Sequence, residues 1–207
     1  EELMKAEMAS YHSPGTCTFY GTANSNQMLM EFIGLHLPGS SFVPPNTPLR
    51  TALTKLATKR ALEITSLGKY FTPAYQILDE KAFVNGIVGL MATGGSTNLV
   101  LHLPAMAKAA GIKIELSDFD DISSVTPLMA KIYPNGLADV NHFHAAGGLN
   151  YMISQLLEYG YLQNDVQTIM GLGLETYTKE PKLVDGKIEY VPSSTKTRNE
   201  KILRPVI

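Results

Sequence analysis

Residues 94–133, GGSTNLVLHLPAMAKAAGIKIELSDFDDISSVTPLMAKIY, alternate two kinds of pattern, and that alternation decides the fold class. Gly94-Gly95 breaks the chain before a helix predicted over Ser96 to Ala110, bounded by Gly111 and carrying Pro104 as a kink. Ile112 to Leu116 alternates apolar and polar residues as a strand does, Ser117 to Ser124 reads as a short capped helix, and Leu128 to Tyr133 is a second candidate strand. Helices separated by short strands predict an α/β architecture, with layered helices around a small parallel sheet.

The flanking sequence extends this pattern in both directions. Downstream, Ala145 to Tyr159 is predicted helical, with Leu149, Met152, Ile153, Leu156 and Leu157 on one side. Lys182 to Val191 reads as a hairpin turning at Asp185-Gly186, and Pro192 to Lys201 is polar and linker-like. Upstream, Asp79 caps a helix over Glu80 to Met91, and Thr72-Pro73 starts a short one. Thr47-Pro48 is a cap and first-turn pair for a helix whose Leu49, Leu53, Leu56, Ala57, Ala61 and Ile64 recur at helical spacing up to Gly68. Leu37 to Asn46 is a loop. Asn24 or Ser25 is expected to cap a helix over Gln27 to Leu35, with Met28, Leu29, Phe32 and Ile33 as its core stripe. Residues 1–11 are helical in pattern and stop at His12-Ser13-Pro14-Gly15.

With 207 residues, 44% of them hydrophobic, the chain can bury one sizeable core. A net charge of −2 without a basic stripe argues against a nucleic-acid partner. No apolar run reaches bilayer length, so no membrane association is expected and the cytoplasm is the expected compartment. One cysteine excludes an internal disulfide framework. The opening residues start inside a helical pattern and the last, Leu203 to Ile207, read as an interrupted extended segment. An internal piece of a longer polypeptide is expected.

That cysteine, Cys17, lies among Gly15, Thr16, Thr18 and Gly21, a small polar loop running into a helix start. Such neighbours leave a sulfur approachable and favour the thiolate that attacks electrophiles or binds metal. A small buried thiol in a turn is the plain alternative. Ser96, Thr97 and Asn98 set short polar side chains and backbone N–H groups at a helix start, which suits a carboxylate or phosphate, although every helix needs such a start. Thr22 to Asn26 follow the same logic beside the cysteine. His142 and His144 would point the same way on a strand, with Asp139 near, but zinc needs three or four ligands and the pair is a weak metal signal. His144 is expected to shape a helix entrance, and His102 to be a core residue. Asp118, Asp120 and Asp121 lack the glycine and closing glutamate of a calcium loop and read as a capped helix start.

The run Gly15 to Leu35, GTCTFYGTANSNQMLMEFIGL, resembles the third cluster-cysteine motif of the dihydroxy-acid and 6-phosphogluconate dehydratase family, which in branched-chain members reads Gly-x-Cys-Gly-Gly-Met-Tyr-Thr-Ala-Asn-Thr-Met. Gly94 to Asn98 with Leu99 to Leu103, and Asp118 to Ser123 through Thr126-Pro127-Leu128 to His144-Ala145-Ala146-Gly147-Gly148, agree in order and spacing. Thr18-Phe19-Tyr20-Gly21 and Asn26-Gln27-Met28 are more similar to the phosphogluconate branch.

The resemblance implies that Cys17 is one ligand of an iron–sulfur cluster, expected as 4Fe–4S. The other cluster cysteines, one of them in a Cys-Asp-Lys motif, would lie upstream of Glu1. It implies removal of water from 6-phospho-D-gluconate to give 2-dehydro-3-deoxy-6-phosphogluconate, with Ser96, Thr97 and Asn98 against the phosphorylated sugar acid. The catalytic base, a serine alkoxide, and Mg2+ ligands would lie outside these residues, so the isolated chain would be inactive. Residues 1–180 would be part of the N-terminal α/β cluster-binding domain, and residues 181–207 a hairpin and linker toward an absent C-terminal β-barrel domain, in a homodimer. The same chemistry on an unphosphorylated dihydroxy acid is the second reading. A non-catalytic α/β module binding small anions through Ser96 to Asn98 is a third.

Overall fold

Local capping chemistry sets many of the element boundaries in the computed structural model, which describes residues 1–9, 17 and 19–206. The expected stop at His12 to Gly15 lies outside the described residues. Nine helices are described: α1 (Glu2–Ala9), α2 (Thr22–Phe32), α3 (Pro48–Glu63), α4 (Ala74–Ile77), α5 (Glu80–Thr93), α6 (Leu99–Ala109), α7 (Leu116–Val125), α8 (Val140–Ala146) and α9 (Gly148–Glu158). Two short strands, β1 (Gln167–Thr168) and β2 (Gly171–Leu172), precede a 3-10 turn over Glu175–Thr178 and the hairpin β3 (Lys179–Val184) and β4 (Lys187–Pro192).

Where a cap acts within one turn, expectation and structure agree. The Thr47 hydroxyl accepts the Arg50 amide at 3.2 Å, and Pro48 opens α3. The Asp79 carboxylate accepts the Ala82 amide at 2.8 Å to open α5. At α7, the Glu115 amide donates to the Asp118 carboxylate at 2.8 Å in a capping box, so Asp118 serves a helix start. Asp185 and Gly186 both take positive φ, as a tight hairpin turn requires, and β3 pairs antiparallel with β4 from Lys179–Pro192 to Val184–Lys187.

The molecule is a mixture of helices and small sheets, and the hairpin is the expected one, but no parallel sheet is found among the described residues. Both described two-stranded sheets, β1–β2 and β3–β4, are antiparallel. Ile112 to Leu116 is no strand, because its ends are consumed by helices. Gly111 (φ +82°) and Ile112 close α6 by donating to the carbonyls of Lys108 and Ala107, and Glu115 already caps α7. Leu128 to Tyr133 is extended but makes only single bridges, Ala130 antiparallel to Leu203 and Ile132 parallel to Ala138. Its Met129 and Ala130 amides cap the end of α5 through the Ala92 carbonyl.

The core forms where α2 lies on α5. Met28, Leu29, Phe32 and Ile33 of α2 are fully buried, as their spacing predicts. They approach α5 closely because Gly86 and Gly89 face them: a Cβ on Gly89 would sit 2.6 Å from Phe32 Cγ. Leu149, Met152, Ile153 and Leu156 of α9 complete this core. The helix expected over Ala145 to Tyr159 is two helices, broken at Gly147, whose φ of +139° few side chains tolerate.

The tail after β4 is docked on the rest of the molecule. The Arg198 amide donates to Ala146 O, the Lys131 amide to Ile202 O and the Arg204 amide to Met129 O, and Leu203 and Val206 are buried in the main core. Polar residues dominate its composition, and the backbone, two apolar side chains and the Thr197 and Arg198 side chains, which donate to the Ala146 and Ala145 carbonyls, do the docking.

Candidate functional site

The site is built at the N-terminus of α2, which starts earlier than expected. Gly21 is the N-cap and has no side-chain acceptor to offer, so Asn24 and Ser25 lie inside the first turn instead of capping it. Their side chains are fully buried and reach away from their own helix start. Ser25 Oγ donates to Gly21 O at 2.9 Å and accepts the Ser96 amide at 2.8 Å. Asn24 Nδ2 donates to the carbonyl of Cys17 at 3.3 Å.

The turn before α6 meets this same helix start. Gly94 ends α5 in the left-handed conformation, and Asn135 Nδ2 donates to its carbonyl at 2.9 Å, which swings Ser96 to Asn98 back onto α2. Thr22 Oγ1 and Ser96 Oγ share a hydrogen bond of 3.0 Å, and Asn98 Nδ2 donates to Thr22 Oγ1 at 2.7 Å. Ser96 is half-buried, while Thr97 and Asn98 are exposed. Two of the three expected amide donors are already used: Ser96 N–H by Ser25, and Asn98 N–H by Ser96 Oγ at 3.3 Å. Thr97 keeps the open amide among the described residues.

Cys17 is a free thiol, and it is exposed. The chain beyond it is anchored to the segment after α7: the Tyr20 amide donates to Tyr133 O at 2.8 Å, and the Phe19 ring packs edge-on against Tyr133 at 6.5 Å. The Tyr20 ring is buried against Phe42, and burial pushes its phenol well above the ordinary value despite the Thr93 and Ser25 hydroxyls beside it. A thiol on an anchored loop at a helix N-terminus suits an iron–sulfur ligand. Among the described residues no group of three or more His, Cys, Asp or Glu converges on it or elsewhere.

The other candidates fall elsewhere. His142 and His144 lie on α8, where a spacing of two turns them to different sides. His142 is exposed beside the Asp139 carboxylate at 2.9 Å. His144 is half-buried beside Glu180, Lys182 and Arg198, and burial holds its imidazole below the ordinary range. His102 is exposed on α6, not in the core, because Leu99 and Leu103 take the inward face.

One polar cluster is absent from the expectations above. Glu31 in α2 is fully buried and accepts the Gly39 amide at 2.8 Å and the Ser41 amide at 2.7 Å, with the Arg50 guanidinium near. Arg50 holds the same loop by donating to Ser40 O at 2.5 Å and Val43 O at 2.7 Å. A glutamate in the apolar register of α2, beside Phe32, was the available sign. A cleft of about 400 Å³ opens beyond it between α3 and Leu35 to Ser41.

An exposed cysteine is thus tied to the first turn of α2, and a Ser–Thr–Asn turn is bonded to that same turn. The chain belongs to the family described as Dihydroxy-acid/6-phosphogluconate dehydratase N-terminal, whose pattern matches residues 1–177. It is 58% identical over 207 residues to the phosphogluconate dehydratase of Rhizobium meliloti (strain 1021), covering 100% of this chain and 34% of that protein. The phosphogluconate dehydratase of Pseudomonas aeruginosa is 55% identical over 206 residues, again 100% of this chain and 34% of the relative. The dihydroxy-acid dehydratase of Ignicoccus hospitalis is 38% identical over 188 residues, 91% of this chain and 34% of that protein. The chain therefore spans about a third of the length of the curated relatives it matches.

Proposed function

We propose that the full-length protein containing this chain removes water from 6-phospho-D-gluconate to give 2-dehydro-3-deoxy-6-phosphogluconate. The observation that carries this reading is the 58% identity to a phosphogluconate dehydratase along the whole chain, against 38% to a dihydroxy-acid dehydratase. The reaction breaks the C2–H and C3–O bonds, releases one water, and leaves an enol that becomes the ketone. An iron–sulfur cluster supplies a Lewis-acidic iron for the departing oxygen. Within this chain Cys17 would hold iron. Thr97 N–H and the Ser96 and Asn98 side chains would orient one oxygen-rich end of the sugar acid, with Thr22 fixing the Asn98 rotamer through their 2.7 Å bond.

The catalytic base, the remaining cluster ligands and any Mg2+ ligands are assigned to the part of the protein beyond this chain, as is a C-terminal β-barrel domain. A cytoplasmic homodimer acting in sugar-acid breakdown completes the reading. No helix among the described residues is long and apolar enough to cross a membrane. Purifying the full-length protein without oxygen and offering both substrates tests it. Turnover of 6-phosphogluconate, with little of dihydroxyisovalerate, is expected. The reverse preference would replace the first reading by the branched-chain one.

A further inference from the structure

Asn24 combines three observations. Its side chain is fully buried, its Nδ2 donates to the carbonyl of Cys17, and its Oδ1 is buried without a donor among the described residues. An amide this deep with its acceptor oxygen unused is rare unless that oxygen serves a site. Gly21, not Asn24, caps α2, so the Asn24 amide is not spent on the helix start. Neighbouring Ser25 spends its hydroxyl on Gly21 and Ser96, so the two buried polar residues divide the work: Ser25 joins α2 to the Ser96 turn, and Asn24 joins α2 to the cysteine.

We infer that Asn24 is a positioning residue for Cys17, fixing the peptide that carries the sulfur and keeping one amide acceptor for a donor from the rest of the cluster site. This rests on the reading of Cys17 as an iron ligand. The Cys17 carbonyl is held by Asn24 Nδ2 on one side, while Tyr20 fixes the chain three residues on through Tyr133 O. These two bonds hold the backbone on either side of position 18. Loss of such an orienting bond costs a metal site on the order of 10–100-fold in affinity.

The test uses the full-length protein, purified without oxygen, as wild type, Asn24→Leu, Asn24→Asp and Cys17→Ser. Iron and sulfide content, the electron paramagnetic resonance spectrum of the reduced cluster and the rate of iron release to a chelator are measured, with circular dichroism as the check on folding. Asn24→Leu is expected to shift the resonance and release iron about 10–100-fold faster, while the far-UV spectrum stays that of wild type. Should Asn24→Leu fail to fold, Asn24→Asp keeps the shape and removes the amide donor. It is then expected to move the reduction potential to more negative values by placing a carboxylate beside the thiolate. If Cys17→Ser loses the cluster but the folded Asn24 variants keep wild-type spectrum, potential and iron release, the inference fails and the reading of Cys17 stands. If Cys17→Ser keeps a wild-type cluster, both fall.

Discussion

Replacing Glu31 tests how the loop over Leu37 to Val43 is held against α2. Two backbone amides, those of Gly39 and Ser41, end on its carboxylate at 2.8 and 2.7 Å inside the core. Glu31→Leu leaves both without acceptors and Arg50 without its opposing charge. Removing one partner of a buried charged network costs about 3–5 kcal/mol. At about 1.4 kcal/mol per decade, even the lower figure corresponds to roughly 100-fold faster opening-limited exchange of the loop amides. Hydrogen–deuterium exchange of peptides spanning residues 36–43 in the full-length protein reads this directly. Glu31→Gln keeps one acceptor and should fall between wild type and Glu31→Leu. The ionisation state adds a sign. Burial pushes the Glu31 carboxyl above its ordinary value of 4.5, outweighing the Ser41 and Gly39 bonds and Arg50. The unfolded chain therefore ionises first as pH rises, and the loop loses stability from about pH 4.5 up to the folded-state titration. Glu31→Gln should remove that decline. Loop exchange in Glu31→Leu no faster than in wild type would refute the argument.

Three further outcomes follow from the packing. Gly89→Ala places a methyl 2.6 Å from Phe32 Cγ and 2.8 Å from Met28 Sδ, so it should destabilise the α2–α5 core by about 1–3 kcal/mol, read as a lower urea midpoint. Asp79→Ala removes the acceptor for Ala82 N and should cost about 1 kcal/mol, with faster amide exchange confined to the start of α5. Arg198→Met removes one of the two cations paired with Glu180 on β3 and the donor to the Ala145 carbonyl, and should raise exchange over residues 194–206 without changing exchange in α5. The Glu180 carboxyl is pushed up by burial, but Lys182 and Arg198 hold it below its ordinary value of 4.5. The tail contact is therefore present above that pH and is lost as pH falls through the depressed titration, and exchange over residues 194–206 in wild type should rise on acidification.

Much of the helical framework was readable because its determinants are local. Thr47 with Pro48, and Asp79, cap helices through partners three residues away, and the α2 stripe follows from spacing alone. Asp185-Gly186 fixed the hairpin for the same reason. Errors came where the deciding partner is distant in sequence. Ser25 looked like a cap but answers to Ser96, and the Ile112 alternation had no neighbouring strand to pair with. Leu128 to Tyr133 found its partner in the tail, at Leu203, in a segment read as extended but with no partner indicated by the sequence. Of the candidate site, Cys17 and Ser96 to Asn98 stood out by residue type. Their convergence on Thr22 and Asn24 did not, since nothing local encodes a bond between residues 22 and 98. His102 and the His142–His144 pair misled because a side chain's exposure and direction depend on helical phase, and α8 was not expected to begin before Ala145.

The measurement closest to the central claim is the iron content and visible absorption of the anaerobically purified full-length protein after Cys17→Ser. The account predicts loss of cluster absorbance together with most of the bound iron and sulfide, in a protein whose far-UV spectrum is that of wild type. Iron, sulfide and absorbance equal to wild type in that variant would contradict it.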